Sequence, residues 1–210
     1  MSIFGPKILE EHQSKYSGPV RLMQGWGYKY VSTGILTQSG GVVEDVWRPV
    51  LKKIGRTHKT WLILGLGCGT VAKMISARLS PTAITGVDID PLMLDLGRRH
   101  FALEHIPGLT VIRGDASRFV ARTRSKFDFI LVDLYLGDKL PAFVYTAKFL
   151  DRLRALGRSV VFNHLFYDDS KRQAAGRLVA KVGKIFPRVE LVRSLTNILI
   201  VARAKPEDNI

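Results

Sequence analysis

The chain has 210 residues, 46% of them apolar and 24% charged, with 32 Lys+Arg against 18 Asp+Glu and a formal charge of +14. This composition excludes wholesale disorder, and the length suits one compact domain with a small appendage. A single cysteine excludes an internal disulfide and any Cys-rich zinc pattern, and the five histidines lack HxxxH or HExxH spacing, so no metal is expected.

The opening MSIFGPKILEEHQ has no apolar stretch of signal-peptide length. The longest uncharged apolar run, residues 60–72, has 13 residues and three glycines, against about 20 needed to span a bilayer. A cytoplasmic protein with no membrane partner is the expectation. Residues 8–38 read as short β-hairpins: Val20-Arg21-Leu22, then Gln24-Gly25-Trp26-Gly27 as a turn, Tyr28-Lys29-Tyr30 alternating, and Ser32-Thr33-Gly34 as the next turn. From Val42 the period changes. Val42, Val43, Val46, Trp47, Val50, Leu51 and Ile54 mark one face of a helix, which Pro49 should kink or restart.

Beyond the basic connector at 55–59, strands and helices alternate. Strands are expected at 61–64, 83–87, 109–112, 127–132, 159–162, 189–192 and 197–202. Helices are expected at 71–79, 92–104, 117–124, 145–156 and 170–186. Near-continuous apolar strands alternating with helices imply a parallel sheet covered on both faces. Only residues 193–196 separate the last two strands, too few for a helical crossover, so the last strand should run antiparallel. The expected architecture is α/β: a doubly wound, mostly parallel seven-stranded sheet with an antiparallel last strand (residues 42–210). A small amino-terminal β-hairpin domain (residues 1–41) precedes it.

The strongest chemical pattern is Gly65-Leu66-Gly67-Cys68-Gly69-Thr70, directly after a strand and opening a helix. Glycines there allow a tight turn and close approach of a ligand to the backbone. The spacing is GxGxG, with Thr70 where a dinucleotide fingerprint needs its third glycine. Asp88 ends the second strand, 19 residues after Gly69, where a carboxylate can accept both hydroxyls of an adenosine ribose. Asp90-Pro91 reads as a helix cap followed by proline at the first helical position. In Gly114-Asp115-Ala116, Asp115 either accepts from an adenine amine or caps the next helix, and Asp133 ends the fourth strand facing the same crevice.

Taken in order, GxGxG, VDID, GDA and ILVD resemble the class I S-adenosylmethionine-dependent methyltransferase fold, a Rossmann-like fold, and more closely its spermidine synthase (polyamine aminopropyltransferase) branch. Residues 8–16, the aromatic hairpin at 26–30 and Gly34-Ile35-Leu36-Thr37-Gln38 are similar to that branch's amino-terminal β-domain. The resemblance implies that Gly65, Gly67, Cys68 and Gly69 line the nucleotide loop, with Asp88 at the ribose, Asp115 and Ala116 at the adenine and Gln38 near the cosubstrate. It implies Asp133 as the catalytic carboxylate, S-adenosylmethionine or its decarboxylated form as cosubstrate, and a small-molecule acceptor, with polyamine biosynthesis as the family's setting. Tyr135, two residues past Asp133, is a candidate substrate contact, and the amino-terminal hairpins are a candidate homodimer surface.

Departures from the family pattern limit the acceptor. Cys68 stands where the family has an aspartate, residues 44–47 (Glu-Asp-Val-Trp) replace a Tyr-His-Glu stretch, and only Asp133 of the paired aspartates keeps its place, followed by Leu134-Tyr135-Leu136-Gly137-Asp138. A diamine needs several carboxylates to offset its desolvation. Putrescine is therefore a poor acceptor for this sequence. His164 is weighed as a base against an ordinary loop histidine, Cys68 as a reactive thiol against an apolar filler, and Trp26 and Tyr28 as a gate against packing. Basic residues cluster at 52–59 and at Arg118, Arg122, Arg124 and Lys126, with Arg177, Lys181 and Lys184 along the last helix, where a solvated face is the plain reading. Two alternatives stand beside the small-molecule transferase. One is a nucleic-acid methyltransferase drawn by the charge, although no Asn/Asp-Pro-Pro-Tyr tetrapeptide and no Pro-Cys pair is present. The other is a non-catalytic binding relative.

Overall fold

The computed structural model describes residues 5–25, 27–34, 36–55 and 59–205, so Trp26, Ile35, Arg56 and His58 lie outside the described residues. Four antiparallel strands open the chain: β1 (Lys7–Ser14), β2 (Gly18–Gly25), β3 (Tyr28–Thr33) and β4 (Leu36–Ser39), paired in sequence order. Their alternation buries Val20, Leu22 and Val31 on one face. Helix α1 (Val42–Lys53) follows directly.

Pro49 does not restart this helix. Its missing N–H frees the carbonyl of Asp45 one turn earlier, and the Ser194 hydroxyl donates to that carbonyl at 3.1 Å. With that acceptor satisfied, α1 runs unbroken and buries Val46, Trp47, Val50 and Leu51 against the sheet.

The central sheet comprises β5 (Thr60–Leu64), β6 (Ala83–Asp88), β7 (Leu109–Arg113), β8 (Phe127–Val132), β9 (Gly157–Leu165), β10 (Arg188–Ser194) and β11 (Asn197–Arg203). Its order is β10-β11-β9-β8-β5-β6-β7. The pairs among β5 to β9 are parallel, whereas β11 is antiparallel to both β9 and β10. Crossovers place α2 (Thr70–Leu79) and α3 (Pro91–Phe101) with α1 on one face. The other face carries α4 (Ala116–Arg122), α5 (Ala147–Leu156) and α6 (Asp169–Ile185). Buried on both faces, the central strands carry Trp61 and Phe129 stacked at 4.7 Å between ring centroids.

The expected 117–124 helix ends at Arg122, and two further boundaries differ from the sequence reading because the backbone changes. The 92–104 helix stops at Phe101, because Ala102 turns left-handed (φ 55°) and Leu103–His105 form a 3-10 turn. Leu103 is thereby fully buried beneath Gly69, where an added Cβ would lie 2.5 Å from the Leu103 Cδ1. Likewise Tyr145 belongs to a 3-10 turn, and the Thr146 hydroxyl caps α5 by accepting from the Phe149 N–H. No helix among the described residues is long and apolar enough to cross a membrane.

Candidate active site

The parallel strands end at one edge of the sheet, and β5, β6, β7 and β8 each deliver there the residues singled out from the sequence. Gly65 and Gly67 follow β5, Asp88 ends β6, Asp115 and Ala116 follow β7, and Asp133 follows β8. Together they line a crevice of about 240 Å³, closed by Tyr16, Ser17 and Gln38 from the amino-terminal sheet and by Leu134, Tyr135 and Phe143 from the segment after β8.

Its glycine loop is held in place by carboxylates and hydroxyls. Asp88 Oδ2 accepts from the Gly67 N–H (2.7 Å) and Oδ1 from the Asp90 N–H (2.9 Å), while burial raises its pKa. Gly65 has φ 89°, and an added Cβ would meet the Asp133 carbonyl oxygen at 2.1 Å, so only glycine lets the loop pass this close to the end of β8. The amino-terminal sheet grips the same loop: the Cys68 N–H donates to Ser39 Oγ (2.9 Å) and the Gly40 N–H to Thr70 Oγ1 (2.8 Å). Asp90 caps α3 by accepting from the Leu92 N–H, and it also accepts from the Ser14 and Ser17 hydroxyls at 2.5 and 2.6 Å.

Asp133 also forms part of the wall of a second, adjoining cavity of about 160 Å³, lined besides by Gln38, Tyr135, Asn163, Thr196, Asn197 and aliphatic groups of α1 and β4. Both of its oxygens already accept from neutral donors. The Trp47 indole N–H reaches Oδ2 at 3.0 Å, and the Asn163 amide reaches Oδ1 at 2.8 Å. Behind Asn163 the chain of donors continues in one direction. Asn197 Nδ2 donates to Asn163 Oδ1 (2.8 Å) and the Thr196 hydroxyl to Asn197 Oδ1 (3.0 Å), so the Asn163 amide must turn its N–H toward Asp133. Burial pushes the Asp133 carboxyl up to about 6, against the pull of the Asn163 and Trp47 hydrogen bonds and with the Asp88 charge adding to the rise.

Other residues singled out from the sequence are placed differently. Asp115 borders the crevice and also caps α4, accepting from the Arg118 N–H at 2.8 Å. Gln38 borders both cavities and donates to Thr33 Oγ1 at 2.9 Å. Tyr135 borders both as well, with its hydroxyl donating to the Asn163 carbonyl at 3.0 Å. Cys68 and Gly69 do not border the crevice. The Cys68 side chain is fully buried among Val20, Leu22, Val31, Met93 and Leu96, and burial pushes its thiol up to about 12. That is the environment of an inert apolar filler.

His164 follows Asn163 on β9 and so points to the opposite face of the strand. Its Nδ1–H donates to the Leu165 carbonyl (2.7 Å), and its Nε2 accepts from the Tyr145 hydroxyl (2.9 Å). Burial lowers its pKa, which keeps the ring neutral. Asp138 borders neither cavity and ion-pairs with Lys171 of α6. Tyr28 borders a separate groove beside α1 and α3. Trp47, Asn163 and Asn197, the residues that dress Asp133, were absent from the sequence-derived site. The one available hint was an asparagine interrupting the apolar run of β9.

Residues 62–150 match the methyltransferase-domain family. The chain is 31% identical over 172 residues to an eEF1A lysine and N-terminal methyltransferase homolog of Drosophila melanogaster, covering 76% of this chain and 24% of that protein. It is 31% identical over 98 residues to a polyamine aminopropyltransferase of Vibrio vulnificus, covering 45% of this chain and 33% of that one. The chain thus spans about a quarter to a third of the length of these relatives. Its fold superposes on a spermidine synthase in complex with the transition state analogue AdoDATO with a TM-score of 0.77 and 15% identity, over 95% of this chain and 74% of that one. The chain has the spermidine synthase-like form of the class I S-adenosylmethionine-dependent methyltransferase fold. The family model and these relatives are named for methyl and aminopropyl transfer.

Proposed function

We propose that the chain transfers a methyl group from S-adenosylmethionine to an amine acceptor, with the donor in the 240 Å³ crevice and the acceptor in the adjoining 160 Å³ cavity. The observation that carries this reading is Asp133, a half-buried carboxylate shared by the two cavities, with its pKa raised to about 6. When bound, the donor supplies a sulfonium whose methyl carbon is the electrophile and whose sulfur departs as a neutral thioether. Gly65 and Gly67 leave room for it, and Asp88 and Asp115 offer acceptors to the ribose hydroxyls and the adenine amine. Asp133 orients the incoming nitrogen. It takes the proton that the nitrogen sheds as the C–N bond forms and the C–S bond breaks. A carboxyl with a pKa near 6 is ionised at pH 7 to 8 yet more basic than an ordinary carboxylate.

The choice of methyl transfer rests on charge. A decarboxylated donor carries a propylammonium and a diamine acceptor is a dication, and each needs carboxylates. Cys68 occupies the donor-side aspartate position with a buried thiol, Asp138 is committed to Lys171, and Asp133 is the sole carboxylate among the described residues that border the acceptor cavity. Relatives named for methyl transfer to lysine and N-terminal amines agree with an amine acceptor, on a small molecule or a protein. The test is release of S-adenosylhomocysteine over a panel of primary amines, amino-acid amides and diamines. Asp133→Asn is expected to lower turnover at least about 100-fold, the lower bound for a lost general base, while the melting temperature holds within a few degrees. Surviving turnover would remove Asp133 from the chemistry.

A further inference from the structure

The two helical faces of the sheet differ in how many exposed cations lack an acidic partner among the described residues: Lys52, Lys73 and Arg78 lack one on the face of α1 to α3, and Lys171 and Arg172 of α6 have one on the opposite face. On the face of α1 to α3, Arg48 pairs with Glu44 and Asp45, Lys53 with Glu190, Arg98 with Glu104, and Arg99 with Asp95 and Glu10. On the opposite face, α4 and its following turn expose Arg118, Arg122 and Arg124, and α5 exposes Lys148 and Arg154. Helix α6 adds Arg177, Lys181 and Lys184, a stripe at four- and three-residue steps. None of these eight is in an ion pair among the described residues. Helices α4, α5 and α6 pack side by side, which makes the stripe and the other cations one continuous surface. A groove of about 370 Å³ between α4 and α5 runs through it, flanked by Arg118 and Lys148 with Phe143 in its lining, and Phe143 also borders the donor crevice.

We propose that this face is a docking surface for the sugar–phosphate backbone of a nucleic acid. Unpaired like charges at this density repel one another, and a polyanion is what relieves them. No large apolar side chain is exposed on α4, α5 or α6 among the described residues. A protein interface needs an apolar centre and a membrane-bound helix needs apolar anchors, whereas phosphate contacts need neither. Five of the eight cations are arginines, whose planar fork matches a phosphate. Eight of the chain's 32 Lys and Arg thus lie unpaired on this face, and the proposal stands independently of the transferase reading.

The experiment is fluorescence anisotropy of a fluorescein-labelled single-stranded RNA against the full chain over a salt series. A variant combining Arg122→Gln, Arg154→Gln and Lys181→Gln is measured beside a control combining Lys52→Gln and Lys73→Gln on the other face. Binding should weaken linearly in log–log coordinates, with a slope reduced by about 2 in the triple variant and unchanged in the control. Calorimetry with S-adenosylmethionine on the same samples keeps this result separate from the fate of the donor site. Absence of binding at low salt, an unchanged slope in the triple variant, or equal competition by polyglutamate or phosphatidylglycerol vesicles would overturn the proposal.

Discussion

Trp47→Phe isolates one hydrogen bond to the carboxylate at the centre of the site. The indole N–H donates to Asp133 Oδ2 at 3.0 Å, and it favours the ionised form. A hydrogen bond to a charged group contributes about 1.5–3 kcal/mol, and one pKa unit corresponds to about 1.4 kcal/mol. Losing the bond should therefore raise the Asp133 pKa from about 6 to about 7–8. The direct assay is a 13C-carboxyl NMR titration with the Asp133 signal assigned by its absence from Asp133→Asn, and it needs no acceptor. In turnover, the acid limb of the pH profile should move up by the same amount. Activity at pH 7 would then fall about two- to tenfold and recover near pH 9. Trp47 is fully buried, so the smaller ring also leaves a void that costs about 1–3 kcal/mol of stability. A purely structural role would lower the melting temperature and leave the titration where it was. That outcome would refute the account of how Asp133 is tuned.

Further perturbations test the loop and the donor site. Gly65→Ala places a Cβ 2.1 Å from the Asp133 carbonyl at a φ of 89°, and it should destabilise the fold by more than about 2 kcal/mol in thermal melts and abolish donor binding. A variant that melts and binds like the wild type would mean that the loop does not pass as described. Asp88→Asn removes a charged acceptor from the glycine loop and from the donor's ribose, so S-adenosylmethionine affinity measured by calorimetry should drop roughly 10- to 100-fold. An unchanged Kd would place the ribose elsewhere.

The sheet was readable because its central strands are buried on both faces. Runs such as residues 61–64 and 129–132 are continuously apolar, and the four residues 193–196 between the last two expected strands left no room for a crossover. Boundaries failed where apolar spacing persisted past a change in backbone. Leu103 continues the pattern of α3, but it reaches its place under Gly69 only through the left-handed Ala102. The strand-end carboxylates Asp88, Asp115 and Asp133 were legible because topology alone gathers them at one edge. Their partners were not. Trp47 lies at a core position of α1, and its polar nitrogen meets a carboxylate 86 residues away. Asn163 and Asn197 come from adjacent antiparallel strands whose register only tertiary pairing defines. His164, the more conspicuous neighbour of Asn163, points away from the site by the two-residue period of a strand.

The central claim is that the crevice bordered by Gly65, Asp88, Asp115 and Asp133 takes S-adenosylmethionine as methyl donor. Calorimetric titration with S-adenosylmethionine, its decarboxylated form and methylthioadenosine addresses it most directly. The account predicts saturable binding of S-adenosylmethionine, with the decarboxylated donor weaker because Cys68 stands where the family pattern has an aspartate. Tight binding of the decarboxylated donor alone would mean aminopropyl transfer, and binding of none of the three would contradict the donor site itself.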